Sequence, residues 1–83
     1  MQKRFYDLKI GDKIYEILGD NMYIDTITRI SIDKHFYIFY LLDQKLMDCF
    51  ATIPLDYINE STHFNKEDGQ LFTTDIKVFL NGL

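Results

Sequence analysis

Asp68-Gly69-Gln70-Leu71-Phe72-Thr73-Thr74-Asp75-Ile76-Lys77-Val78-Phe79-Leu80-Asn81-Gly82-Leu83 closes the chain and sets its architecture. Asp-Gly is a turn signal, and Gln70 to Thr73 reads as a short strand. Thr74 is placed to offer its hydroxyl to the free amides of a first helical turn, and Asp75 sits where the helix dipole favours an anion. Ile76, Phe79, Leu80 and Leu83 then recur at i, i+3, i+4 and i+7, which predicts a one-sided terminal helix.

Upstream of that helix the periodicity is that of strands. Lys13 to Leu18 is bounded by Gly11-Asp12 and Gly19-Asp20-Asn21, both turn chemistry. Met22 to Ile32 alternates. Met22, Ile24, Thr26, Thr28, Ile30 and Ile32 share the face expected inward, with Tyr23, Asp25, Arg29, Ser31 and Asp33 on the other. Phe36 to Leu42 is apolar on both faces, which asks for cover on both sides. One side would fill a lumen and the terminal helix would lid the other. Leu46 to Ile53 is a fourth strand, ended by Pro54 unless it lies on an edge. Leu55 to Asn65 carries no clear pattern beyond a short 3₁₀ turn or irregular crossing near Leu55, Tyr57 and Ile58. The expectation is a mainly β fold, one domain over residues 1–83, built as a small SH3-like barrel or curled antiparallel sheet of about five strands with one C-terminal α-helix.

The 83 residues are 47% hydrophobic, enough apolar matter to hold so small a domain together. Cys49 stands alone, which excludes an intrachain disulfide. The start runs into charge before any apolar segment develops, and Phe36 to Leu42 is too short to span a bilayer, so a cytoplasmic location in a bacterial host cell is expected. Nine basic residues face thirteen acidic ones, a net charge of −4. That balance argues against a phosphate-backbone ligand and for solvated turns or a basic protein partner. Eleven Ile against one Val and one Ala point to an AT-rich genome.

Gly11-Asp12-Lys13-Ile14-Tyr15 and Gly69-Gln70-Leu71-Phe72-Thr73-Thr74 resemble the corresponding segments of small SH3-like β-barrel proteins encoded by phages and mobile elements of low-GC bacteria. The resemblance implies a barrel with a terminal helix and a mobile-element setting. It brings no activity and no functional residue.

Catalytic chemistry is sparse. His35, Cys49 and His63 are the soft metal ligands, spaced fourteen apart with no Cys-x-x-Cys or His-x-x-x-His pair. Cys49 lies between Asp48 and Phe50, the wrong setting for a lowered thiol pKa. Ser31 and Ser61 lack a nucleophile elbow. Asp25 and Arg29 stand ~13 Å apart along one strand, too far to pair. No phosphate-cradling glycine loop or calcium loop is present. The expectation is no catalytic residue, no cofactor and no metal.

What remains is binding. Tyr15, Tyr23, Tyr37, Phe39 and Tyr40 are candidates for an aromatic surface, whereas Phe36, Phe50, Phe72 and Phe79 are assigned to the core. Tyr23, Asp25, Arg29, Asp33 and Tyr37 form the expected partner-binding set. The leading expectation is a non-enzymatic acidic protein-interaction module that binds, and in one version inhibits, a host protein such as a nucleic-acid-handling or defence enzyme. A nucleic-acid-binding barrel is the first alternative, with Lys3, Arg4, Lys9 and Lys13 gathered beside Tyr6 or Tyr15. A metal- or thiol-dependent enzyme is the second. A homodimer through the third strand or the helix is a further option, and no membrane association is expected.

Overall fold

The computed structural model describes residues 3–81. Six antiparallel strands form one curled sheet: β1 (Lys13–Leu18), β2 (Asn21–Ile32), β3 (Phe36–Leu42), β4 (Asp48–Pro54), β5 (Thr62–Asn65) and β6 (Gln70–Thr73). Their spatial order is β4-β3-β2-β1-β6-β5. The first four strands are a meander. The chain then passes through a 3₁₀ turn (Leu55–Tyr57) and lays β6 beside β1 before ending in α1 (Ile76–Asn81). The curl stops at a half-barrel, because β4 and β5 remain as edges, so the expected mainly β fold takes its curled-sheet form. The segment Leu55 to Asn65 supplies that 3₁₀ turn and β5, one strand more than expected.

Local chemistry explains the turns. Gly19 takes φ 60°, a left-handed position open to glycine, in the tight β1–β2 turn. Between β3 and β4, the Asp43 carboxylate accepts from the amides of Lys45 and Met47, both at 2.8 Å. That turn forces Leu46 to φ 61°, where a β-carbon is disfavoured.

The inner face of the curl holds the main core: Phe5, Leu8, Ile14, Ile27, Phe39, Leu41, Ala51, Ile53, Ile58 and Phe72. Phe5, in a 3₁₀ turn at Phe5–Asp7, reaches it from the N-terminal side; its amide donates to the Glu60 carbonyl at 2.9 Å.

The alternation of β2 differs from the expected one. Ile27 pairs with Leu41, but the next pair is Arg29 with Tyr40, so Thr28 is an extra residue in the ladder. Such a bulge switches the faces of everything beyond it. Before it the odd positions face inward, with Asp25 and Ile27 fully buried; after it Ile30 packs on the core. The Thr28 hydroxyl donates to the Tyr40 carbonyl at 3.2 Å, which occupies the hydroxyl the bulge pushes outward. The even-inward reading therefore holds only beyond Thr28.

The helix also settles differently. Asp75 is its cap: its carboxylate accepts from the Lys77 amide at 2.9 Å, while the Thr74 hydroxyl donates to the Lys3 carbonyl. With only six residues, α1 buries Phe79 and half-buries Val78, whereas Ile76 and Leu80 stay exposed. Leu83 lies outside the described residues. Phe79 and Val78 pack with Tyr15, Ile17, Ile24 and Leu71 on the outer face of β1, β2 and β6. The helix thus lids the β1 end of the sheet and not β3. Among the described residues no helix is long and apolar enough to cross a membrane.

These contacts rank the helix residues. Phe79→Ala should cost about 3–5 kcal/mol in urea unfolding, whereas Leu80→Ala should stay within about 0.5 kcal/mol. Equal losses at the two positions would contradict this docking.

Candidate functional site

Two features of the sheet have no explanation in folding alone. The first is the outer face of β3. Register places Arg29, Tyr40 and Phe50 in one row across β2, β3 and β4, and Ser31, Ile38 and Thr52 in the next. The Arg29 guanidinium lies 4.5 Å over the Tyr40 ring. Beside it, Phe50 is 64% exposed, and the adjoining turn presents Leu46 at 75% and Met47 at 63%. No described element covers this face, because the helix has gone to the other end. Solvated, that much apolar surface on an edge strand and its turn invites association.

The expected binding set is divided by the bulge. Arg29 and Asp33 are exposed, and Arg29 belongs to this outer face. Asp25 is fully buried inside the curl, and so is excluded from a partner surface. Tyr23 pairs with Glu16 on the inner side and is half-buried. Tyr37 packs against the core beside Phe39, 6.0 Å between ring centroids. Of the wider aromatic set, Phe39 is fully buried and Tyr15 lies under Phe79, 5.1 Å away. Conversely Phe50 and Phe36, assigned to the core, are exposed, because β4 is an edge and the outer side of β3 and β4 has no lid.

Three of the four basic residues of the nucleic-acid alternative make side-chain contacts nearby. The Lys3 ammonium pairs with Asp12 at 3.0 Å, and the Arg4 guanidinium with Asp7 at 2.9 Å. The Lys13 ammonium donates to the Thr26 hydroxyl. The two ion pairs offset the charges of Lys3 and Arg4, while Lys13, bonded to a neutral hydroxyl, keeps its charge.

The second feature lies inside. Glu16 on β1, Asp25 on β2 and Cys49 on β4 bring a carboxylate oxygen each and the thiol sulfur within 4.8 Å of one another. Glu16 is 8% exposed and Asp25 fully buried, while Cys49 is half-buried near the seam. The Gln70 side-chain amide donates to Glu16 Oε2. Neither oxygen of Asp25 accepts from a nitrogen or hydroxyl of the described residues, and its hydrogen-bonding neighbour is the Glu16 carboxyl, once one of the pair holds a proton. His35 and His63 do not join this group: His35 is exposed beside Phe36, and His63 stacks on Tyr57 at 4.8 Å. Burial lowers the His63 pKa.

Burial first, then the neighbouring Glu16 charge, pushes the Asp25 carboxyl up to about 7. Burial and the surrounding carboxylates likewise push the Cys49 thiol up to about 11, which keeps it protonated and poorly nucleophilic. Sequence reading missed the cluster because it placed Asp25 on the wrong face. The available signal was in β1, where Glu16 shares the face of Ile14, a core residue.

A carboxyl that holds its proton in the folded chain, with a pKa near 7, and loses it in the unfolded chain, near 3.9, ties stability to pH. The native state then binds the extra proton between those values, so its contribution is complete below about pH 4 and declines until about pH 7. The protein should lose stability from the Asp25–Glu16 pair across that window. Asp25→Asn should remove the decline, and the difference between native and variant in urea unfolding from pH 4.5 to 8 isolates it from His63. Parallel pH profiles for the two would refute the assignment.

No protein family, curated protein or solved structure matches the chain, so its function is read from this geometry.

Proposed function

We propose that this chain is a non-enzymatic protein-interaction module whose binding surface is the outer face of β3 and β4. The carrying observation is that β3, apolar on both sides, has its inner side in the core and its outer side without a lid. The adjoining turn strengthens the reading. Leu46 holds a left-handed backbone where Gly or Asn would be comfortable, with three quarters of its surface in water. Folding gains nothing from a leucine there, so a contact outside the chain is the reason offered for it. Phe50 and Tyr40 supply rigid aromatic area, and Arg29 stacked on Tyr40 supplies a directional charge at its margin.

Net charge of −4 favours a partner with a basic surface, which raises the association rate by steering. A host enzyme that handles nucleic acid has such a surface, and the likeness to phage-encoded barrels suggests the setting in which the chain would occupy it. The cytoplasm of a bacterial host is the proposed compartment. The raised Cys49 pKa and the exposed, isolated His35 support leaving catalysis out.

Phe50→Lys changes a mostly exposed side chain and should leave thermal stability within about 0.5 kcal/mol. Immobilised native chain should retain a specific protein from bacterial lysate that the Phe50→Lys chain loses by at least about tenfold, as expected for an aromatic anchor. Equal retention by both would move the binding surface elsewhere, and no retained protein at micromolar concentration would defeat the reading.

A further inference from the structure

We propose that Glu16, Asp25 and Cys49 form a binding site for one thiophilic divalent cation of the zinc class, held inside the half-barrel. This site is separate from the outer face and does not rest on the partner-binding reading. Asp25 carries the argument. A fully buried carboxyl group with no nitrogen or hydroxyl donor on either oxygen, its one hydrogen-bonding neighbour being the Glu16 carboxyl, is costly to keep in that state. No lysine or arginine of the described residues reaches it, and its neighbours are another carboxylate and a thiol. Two acids and a thiol converge on one point, where a proton between Asp25 and Glu16 holds the acids together and a cation would take its place.

The geometry suits a small ion. Tetrahedral zinc, with bonds of about 2.0–2.3 Å, separates its ligand atoms by about 3.3–3.8 Å. The three donor atoms lie within 4.8 Å of one another, so side-chain movements of about 1 Å close the site. A thiolate ligand selects against magnesium and calcium, and two carboxylates select against copper(I). Ligation replaces the Cys49 thiol proton, which leaves to the buffer, and water completes the fourth position. Support around the ligands is present too: the Gln70 amide donates to Glu16 Oε2 and fixes that carboxylate. Between β4 and the β5–β6 hairpin the open side of the curl carries a groove lined by Thr52, His63, Gln70 and Phe72. Bound by its three ligands, the ion joins β1, β2 and β4. Since β3 separates β4 from β2 in the sheet, the ion would clip the curl across its open side.

The test uses the full chain stripped with a chelator and titrated with cobalt(II), then zinc(II). One cobalt per chain should bind, with thiolate-to-cobalt charge-transfer absorption in the near ultraviolet, and zinc should displace it. Cys49→Ser should abolish that absorption. Asp25→Asn keeps the shape and cannot ionise, so it should fold, and it should weaken zinc binding by at least about tenfold. His35→Gln with His63→Gln should change neither result. Failure to see the charge-transfer band with excess cobalt at micromolar protein overturns the proposal. So does native-like zinc affinity in Asp25→Asn, or loss of binding in the double histidine variant.

Discussion

The extra residue in β2 governs this molecule. Without Thr28 in excess, strict alternation from Asp25 would carry Arg29, Ser31 and Asp33 inward, and the lower half of the sheet would have no core. With it, Asp25 and Ile27 face inward above, Ile30 faces inward below, and Arg29 is released to stack on Tyr40. A bulge also deepens local twist, which a six-stranded sheet needs if it is to curl around ten buried residues. Both unexplained features follow from it: the acid trapped inside and the aromatic row left outside.

Division of labour between the two sheet faces follows from where the helix lands. Six residues of α1 cover only as much as Phe79 and Val78 can reach, and they are spent on β1, β2 and β6. The apolar requirement of β3 is thereby met on one side only. In a domain this small, surplus apolar area on the outside is expensive, and its retention at Phe50, Met47 and Leu46 calls for a use.

What the sequence disclosed and what it hid divide along physical lines. Turn chemistry and runs of β-branched and aromatic residues located β1 and β3 to the residue, because those signals are local. Helix existence was legible in residues 74–81. Its buried face was not, since a helix of under two turns takes its orientation from the sheet it meets; Val78 won over Ile76 and Leu80 for that reason. β5 was hidden because Thr62-His63-Phe64-Asn65 lacks a clean alternation and depends on pairing with β6. The carboxylate–thiol cluster was hidden for a deeper reason. Its members lie on three strands, and one of them is placed by a bulge that no single residue type announces.

Strand order has a bearing on how this chain acquires its shape. β1 to β4 form by successive hairpins between sequence neighbours, whereas β6 must find β1 across some fifty residues, Gln70 against Leu18 and Thr73 against Tyr15. Phe5 must likewise meet Glu60. Nascent chain therefore passes through a four-stranded ribbon whose first strand is still bare along one side, and the slow event is a long loop closing over it. Synthesis proceeds from the other end, so the four strands of the ribbon all leave the ribosome before the strand that seals that flank exists.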